Sequence, residues 1–151
     1  MVAAPSYSFM RIERFDHIVL NVRDVEVAAD WYQRVLGMKR SDFAPGRPDQ
    51  PLRTALSFGN QKINLRPVDT DPAQWPTGAR PARGSDDLCF ITASSPDEVL
   101  AHLRAHDVAV VEGPVRKQGA LGPMTSVYCR DPDGSLIEIA SYPIADGGAG
   151  P

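Results

Sequence analysis

The stretch RDPDGSLIEIASY, residues 130–142, contains turn-forming residues followed by a segment in which apolar and other residues alternate. Pro132 fixes its own φ, and the following Asp133 and Gly134 tolerate the positive φ of tight turns, so the stretch predicts a turn that leads into a β-strand. Because side chains alternate between the faces of a strand, Glu138 lies on the face opposite its two isoleucine neighbours. A carboxylate on such a strand needs a cation, a metal ion or water as its partner. Glu138 is therefore the first candidate site residue.

Composition bounds the class of protein. The chain has 151 residues, of which 42% are apolar and 23% charged, with a formal net charge of −3. These values predict one soluble globular domain over residues 1–151 and give no basic excess for nucleic-acid binding. No apolar run of about 18 residues and no signal peptide is present, so we expect a cytoplasmic protein without a membrane partner. Cys89 and Cys129 lie in apolar, strand-like runs, which predicts buried free thiols.

The first half of the chain reads as one strand, one helix and three further strands. Residues 12–22 alternate like a strand, and apolar residues then recur at helical spacing between Asp24, a candidate N-cap, and Gly37, a candidate helix stop. Further strands are predicted at 39–43, 53–58 and 61–66, the last two joined by a turn at 59–60. This order is βαβββ.

The second half repeats the same order after a proline-rich linker over residues 67–85. A strand at 86–92 is followed by a helix that starts at the capping box of Ser95 and Glu98 and runs to about residue 106. Strands are then predicted at 108–111, 124–130 and 135–142. We therefore predict an α+β fold of two tandem βαβββ modules, 12–66 and 86–142, with flexible tails at 1–10 and 143–151.

Superposing the modules by strand order brings four polar residues to equivalent places. His17 matches Asp87, and Asn64 matches Glu138. The opposite face of each of these strands is apolar and suits a helix, so we expect a cupped eight-stranded mixed sheet with helices on its convex side. The same alternation places further polar residues on the concave face: Arg53, Ser57, Lys62, Arg66, Cys89, Ser126 and Tyr128. A cleft with convergent polar groups is the expected binding site of a small-molecule substrate.

Five segments resemble the vicinal oxygen chelate superfamily, which includes glyoxalases, bleomycin-type antibiotic-resistance proteins, extradiol dioxygenases and epimerases. They are FDHIVLNV (15–22), WYQRVLGM (31–38), GNQKINL (59–65), DLCF (87–90) and RDPDGSLIE (130–138). The resemblance spans about residues 12–142 and is greatest to the branch called glyoxalase domain-containing protein 5. It implies the tandem βαβββ fold independently of the repeat.

The resemblance also implies a divalent metal ion, held on the concave sheet by the first and fourth strands of each module. His17 and Glu138 fall on two of the ligand positions, Asp87 stands where many members have a second His, and Asn64 stands where glyoxalase I has a Glu. Asp87 could instead cap a turn or pair with an arginine. The set His17, Asp87 and Glu138 is rich in oxygen, which suits Mn²⁺ or Mg²⁺, with Ni²⁺ or Zn²⁺ also compatible and iron less so.

The implied reaction is that of a lyase or isomerase, in which the metal stabilises an enolate or oxyanion. Glu138 is the candidate base, and Tyr128 has either a proton-transfer role or a packing role in the pocket wall. The expected substrate-binding residues are Arg53, Ser57, Lys62, Asn64, Arg66 and Ser126. The cations among them favour a small anionic substrate that carries a carboxylate or thioester. If the lysine and arginine side chains point into solvent instead, the ligand is expected to be neutral.

Two other functions stay open at this stage. A non-catalytic module could sequester a drug-like ligand in the same cleft, which the missing second His and the Asn at 64 favour. An extradiol-type dioxygenase is the other alternative, and the single His disfavours it. We also expect a homodimer, because paired modules bury their apolar faces best when a second copy completes the barrel.

Overall fold

A computed structural model describes residues 10–144 of the chain. It confirms the predicted α+β fold of two tandem βαβββ modules. The elements are β1 (His17–Val22), α1 (Val25–Leu36), β2 (Lys39–Phe43), β3 (Arg53–Phe58), β4 (Gln61–Pro67), β5 (Asp87–Ile91), α2 (Pro96–Ala105), β6 (Glu112–Gly119), β7 (Gly122–Arg130) and β8 (Leu136–Ser141). The predicted flexible tails fall almost entirely outside the described residues.

The eight strands form two separate four-stranded sheets, in the orders β1-β4-β3-β2 and β5-β8-β7-β6. In each module the first strand runs parallel to the fourth, and the other neighbours are antiparallel. Strands β1 and β5 each lie at an edge, so one side of each has no hydrogen-bonded neighbour strand among the described residues.

Both helices begin and end where local chemistry predicts. The Asp24 side chain accepts a hydrogen bond from the Val27 backbone N–H at 3.0 Å, and Gly37 ends α1 in the left-handed conformation with φ 66°. Ser95 and Glu98 form the predicted capping box of α2. Each cap satisfies backbone groups that the helix itself leaves unpaired. Within residues 10–144, no helix is long and apolar enough to cross a membrane.

Strand β1 begins at His17 and not at Ile12 as predicted. His17 pairs with Lys62, the second residue of β4, so the residues before it have no strand to pair with. Ile12 and Phe15 are accordingly 79% and 75% exposed. The apolar alternation continues through this segment, but a strand needs a partner ladder as well as a pattern.

The predicted strand at 108–111 is wrong. Those residues are not in a strand, and β6 instead covers Glu112–Gly119, where it pairs with β7 along the edge of the second sheet. Its sequence, EGPVRKQG, contains one aliphatic residue and a proline. Such a composition is tolerated on an edge strand, where neither a full ladder nor a buried face is required.

The two modules share one hydrophobic core. It is built from the apolar faces of both sheets and from both helices. Phe58 of the first sheet and Phe90 of the second pack edge to face, with ring centroids 5.4 Å apart. The Tyr32 hydroxyl on α1 donates to Asp131 Oδ2 in the β7–β8 turn at 2.8 Å, which ties the modules together. Because the apolar faces meet in this core, the polar faces of the two sheets point away from it.

The two cysteines differ in exposure. Cys129 is buried and free, as predicted, whereas Cys89 is free but exposed. The prediction for Cys89 is wrong because β5 is an edge strand and its polar face, which carries Cys89, is open.

Candidate functional site

Glu138 lies at the centre of the polar face of the second sheet. The strand register pairs it with Tyr128 on one side and Cys89 on the other. The hydroxyl of Ser126, which is wholly buried, donates to Glu138 Oε1 at 2.6 Å. The Ser126 hydroxyl therefore holds one carboxylate oxygen, and Tyr128 and Cys89 flank the carboxylate on the neighbouring strands.

The neighbours of Glu138 keep their protons at neutral pH. Burial raises the pKa of the Tyr128 hydroxyl above its ordinary value, and hydrogen bonding to the Glu138 carboxylate raises it further. Partial desolvation of the thiol by its surroundings, followed by the charge of the same carboxylate, raises the pKa of Cys89 to about 11, although the residue as a whole is exposed. Both groups can therefore donate hydrogen bonds to Glu138 or to a ligand, and Cys89 is a poor thiolate nucleophile.

His17 is held by its neighbour in the chain. Its Nδ1 is 2.8 Å from Asp16 Oδ2. This hydrogen bond lowers the pKa of the Asp16 carboxyl below its ordinary value. A carboxylate on one imidazole nitrogen sets the tautomer and leaves the other nitrogen, Nε2, as a lone-pair donor. The side chain remains 43% exposed, so Nε2 is accessible.

Asn64 lies on the same face of the first sheet as His17, two residue positions farther along. It pairs with Val19 in β1 and with Ala55 in β3. The residue is 6% exposed, and its Oδ1 has no hydrogen-bond partner among the described residues. An unpaired buried acceptor costs about 1–3 kcal/mol, so this oxygen would gain from a donor or a cation.

Arg66 is fully buried and faces backbone carbonyls. Its Nε donates to the Trp75 carbonyl at 3.1 Å and its Nη1 to Asn21 Oδ1 at 2.9 Å. Further carbonyl partners come from the residues that follow β4: Pro67, Val68 and Thr70. Because nearly all its N–H groups are used in this way, Arg66 fixes the segment 67–75 against the sheet.

Arg53 is only half-buried and less fully bonded. Its guanidinium carbon lies 3.9 Å from the centroid of the Trp75 ring, and Nη2 donates to Gln50 Oε1 at 3.1 Å. Burial, followed by the charges of Arg47 and Arg66, lowers its pKa. Among residues 10–144 no carboxylate forms an ion pair with Arg53. The remaining N–H groups are therefore available to an anion.

The arginines and His17 lie at opposite ends of the first polar face. His17 pairs with Lys62, whereas Arg66 pairs with Asn21, four residues farther along β1 and β4. Arg53 is likewise four residues from Ser57, which is at the level of Lys62. Four residues of strand correspond to about 13 Å. A group at His17 and a group at the arginines are therefore well separated.

One chain does not bring the predicted metal ligands together. His17, Asp87 and Cys89 line a cavity of about 310 Å³ beside the edges of β1 and β5, but Glu138 lies outside it. No group of three or more His, Cys, Asp or Glu side chains within residues 10–144 is close enough to hold a metal ion. The cause is the shared core, which turns the two polar faces away from each other.

The fold and the sequence together decide the family. A model of the Glyoxalase/Bleomycin resistance protein/Dioxygenase superfamily matches residues 14–139. The chain belongs to this superfamily. The predicted vicinal oxygen chelate membership is thereby confirmed.

Relatives within the superfamily include two curated proteins. Virulence protein STM3117 of Salmonella typhimurium is 42% identical over 133 residues, which cover 88% of this chain and 87% of that protein. Lactoylglutathione lyase of Pseudomonas aeruginosa is 30% identical over 148 residues, covering 83% and 80%. The solved structure of an integron cassette protein, VCH_CASS1, from the mobile metagenome of V. cholerae has a TM-score of 0.81 at 41% identity and covers 89% of this chain and 99% of that one.

Three residues that lie beside the predicted site residues were not predicted from the sequence: Lys117, Phe43 and Trp75. The Lys117 Nζ on β6 lies 5.4 Å from the centroid of the Tyr128 ring, and the Phe43 ring lies beneath Lys62, with its centroid 4.4 Å from Lys62 Nζ. Trp75 stacks on Arg53 in the same way. Lys117 was missed because the strand was predicted at 108–111 and not at 112–119, and the sequence of β6 contains almost no strand signal. Phe43 and Trp75 carry no polar signal that would mark them.

Proposed function

We propose that the chain is a metal-dependent lyase or isomerase of the glyoxalase type, which acts on an oxygenated, anionic substrate through an enolate or oxyanion. One observation carries the proposal: His17 and Glu138 are each fixed by a neighbouring side chain and keep a second donor atom. Asp16 binds His17 Nδ1, and Ser126 binds Glu138 Oε1. Such partners are typical of metal ligands. The 30% identity to a lactoylglutathione lyase supports the same reaction class.

The proposed working unit is a homodimer. The first polar face carries Lys39, Arg53 and Lys62, with Arg66 buried beneath it, whereas the second carries Asp87, Glu112 and Glu138 together with Lys117 and Arg130, so the first face is strongly cationic and the second is net acidic. Faces of opposite charge attract, and the open edges of β1 and β5 can pair with strands of another copy. We infer that the first face of one protomer packs on the second face of its partner, so that His17 lies near the partner's Glu138.

A divalent ion fits this donor set once the two faces meet. The proposed ligands are His17 from one protomer, with the partner's Asp87 and the partner's Glu138. One nitrogen and several carboxylate oxygens suit Mn²⁺ or Mg²⁺ and also accept Ni²⁺ or Zn²⁺, whereas iron is less suited. When bound, the ion supplies Lewis-acid stabilisation of neighbouring substrate oxygens.

The protein side chains then divide the remaining work. Glu138, held by Ser126, takes a proton from the carbon beside a substrate carbonyl. Tyr128 keeps its proton at neutral pH and donates a hydrogen bond to Glu138 or to a substrate oxygen. Asn64 and Ser57 supply polar contacts to the substrate, and the cations of the first face hold its negative charge.

Metal-linked stability tests this proposal. Adding Mn²⁺, Mg²⁺, Ni²⁺ or Zn²⁺ to EDTA-treated protein should raise the melting temperature, because an ion that binds only the folded state stabilises it. His17→Ala and Glu138→Gln should abolish the rise, and Asp87→Asn should reduce it. His106→Ala and Glu13→Gln are matched controls and should keep it. An unchanged melting curve after EDTA treatment of protein that measurably contains the ion would overturn the assignment.

A non-catalytic small-molecule binder is the second candidate. The unpaired, buried Oδ1 of Asn64 favours it, because a neutral amide stands where a glyoxalase would place a carboxylate. Metal analysis of purified protein separates the candidates: no divalent ion favours the binder, and stoichiometric iron favours an extradiol-type dioxygenase. Membership of the glyoxalase domain-containing protein 5 branch and a cytoplasmic location remain parts of the proposal.

A further inference from the structure

A second cavity, of about 510 Å³, is walled by the end of α1, by α2 and by apolar side chains of both sheets. We call it the interhelical cavity. Its floor is buried, since Val35, Met38, Val99 and Ile139 are between 3% and 8% exposed. Cavities of this size with mostly apolar walls are typical of small-molecule sites. None of its lining residues belongs to the metal or substrate site proposed above.

The interhelical cavity adjoins the cavity that contains His17. The edge-to-face pair of Phe58 and Phe90 lines both of them. Most of the interhelical walls, however, come from the helices and from the apolar faces of the strands, whereas the proposed dimer pairs the polar faces. Covering of the polar faces by a second copy therefore does not require this cavity to be filled.

Glu98 gives the interhelical cavity a negative charge. Its Oε2 accepts from the Ser95 backbone N–H at 2.7 Å, and this half of the capping box orients the carboxylate. Within residues 10–144, no basic side chain forms an ion pair with Glu98, and no lysine or arginine lines the cavity. The charge of Glu98 is therefore uncompensated at this cavity.

His102 lies one helical turn from Glu98 and also lines the cavity. Its Nε2 is 2.8 Å from the carbonyl oxygen of Val35, one of the last four carbonyls of α1, which have no donor within their own helix. Because a carbonyl only accepts, Nε2 carries the proton, and Nδ1 of the neutral imidazole keeps its lone pair. Both side chains therefore offer hydrogen-bond acceptors.

We propose that the interhelical cavity is a binding site for a small apolar amine. The hydrocarbon body packs on the buried floor, and the ammonium group donates to Glu98 and His102, since an ammonium carries several N–H donors and the opposite charge. A carboxylate in the same place would meet Glu98 with no cation to offset the repulsion. The site uses neither His17 nor Glu138, so the inference is independent of the proposed function.

Three probes with one hydrocarbon body test the site. 4-Phenylbutylamine, 4-phenylbutan-1-ol and 5-phenylpentanoate share the phenylbutyl group and end in an ammonium, a hydroxyl and a carboxylate. Calorimetry on the full-length protein at neutral pH should show the amine binding about two- to fivefold more tightly than the alcohol, a modest factor because Glu98 is exposed and water screens the pair. The acid should bind most weakly.

Substitutions assign the preference to Glu98. Glu98→Gln removes the charge but keeps a side chain that suits the capping box, so it should bring amine binding down to that of the alcohol and leave alcohol binding unchanged. Asp97→Asn is the matched control, because Asp97 is an exposed carboxylate in the same helical turn that does not line the cavity, and it should change nothing.

Two more variants place the hydrocarbon body. Val99→Phe fills part of the cavity and should weaken all three probes several-fold. Ile91→Lys serves if Val99→Phe fails to fold, because Ile91 lines the cavity at an exposed position of an edge strand, where lysine is tolerated. The added cation should remove the preference for the amine over the acid.

Several results would overturn the site: equal binding of amine and acid, an amine preference undiminished in Glu98→Gln, or no binding of any probe at millimolar concentration. His17→Ala should bind the amine as the wild-type protein does. Amine binding that is lost in His17→Ala would place the probe in the adjoining cavity and would also overturn the inference. Failure of the metal assignment leaves the interhelical site standing, because none of these measurements depends on a bound ion.

Discussion

Mixing two defective variants should restore metal binding if each site takes ligands from two copies of the chain. His17→Ala removes a ligand from the first polar face, and Glu138→Gln removes one from the second. Each variant alone should bind no ion. Because the shared core turns the two faces away from each other, one chain cannot supply both ligands to one ion. A dimer of one His17→Ala chain and one Glu138→Gln chain, however, contains one site with both natural ligands.

The size of the restoration follows from the symmetry. Random pairing of equal amounts makes about half of the dimers mixed, and each mixed dimer has one intact site and one that lacks both ligands. The mixture should therefore regain about one quarter of the wild-type metal sites. A site within one chain would give no restoration, since neither variant chain contains both residues.

The assay counts bound Mn²⁺ per chain after the variants are unfolded together in urea, refolded and dialysed. Sedimentation should give dimer mass for each variant and for the mixture at micromolar concentration, which shows that exchange partners were available. Variants refolded separately and then combined on ice serve as the control for slow exchange. If the co-refolded mixture forms dimers but regains no bound metal, the shared site is refuted. If either variant alone binds as much metal as the wild-type protein, the ligand assignment is refuted.

Three further changes test the fold. Tyr32→Phe removes the hydroxyl that donates to buried Asp131 and should lower the free energy of unfolding in urea by about 1–3 kcal/mol. Tyr142→Phe, at a more exposed hydroxyl, should lower it clearly less. Equal losses in the two variants would contradict the stabilising role of the Tyr32–Asp131 hydrogen bond. Arg66→Met should cost about 3 kcal/mol or more and should speed proteolysis within residues 67–75; unchanged cleavage there would show that Arg66 does not hold this segment. Burial, followed by the charge of Asp131, raises the pKa of Asp86, so its contribution to stability is greatest below 3.8 and falls as the pH rises through its folded value. Asp86→Asn should therefore gain stability over wild type as the pH rises from 3 to 7, and a pH-independent difference would contradict this.

Elements set by local chemistry could be predicted from the sequence. The bounds of α1 followed from Asp24 and Gly37, and the start of α2 followed from Ser95 and Glu98. Each of these residues acts within a few positions of itself, so no knowledge of the distant chain is needed. The repeat then placed His17 and Glu138 on polar faces without any structural information.

Elements set by a distant partner could not be predicted in the same way. Strand β6 exists because β7 offers it a ladder, and its own composition contains almost no strand signal. The role of Arg66 was equally hidden. Alternation placed it on the polar face, but only the path of residues 67–75 shows that carbonyls occupy its donors.

The periodicity of the sequence does not determine which faces of the two modules meet, and this contact decides where the site lies. Alternation defines one apolar and one polar face on each sheet. The same alternation is expected if helices alone cover the apolar faces and if the two apolar faces also pack against each other. Phe58 and Phe90 settle the matter, because their edge-to-face contact joins both apolar faces in one core. Once that core is shared, the cationic face around Lys62 and the acidic face around Glu138 both point outward. The first face is rich in cations and the second carries three carboxylates, and for this reason we propose that a second copy of the chain covers each of them.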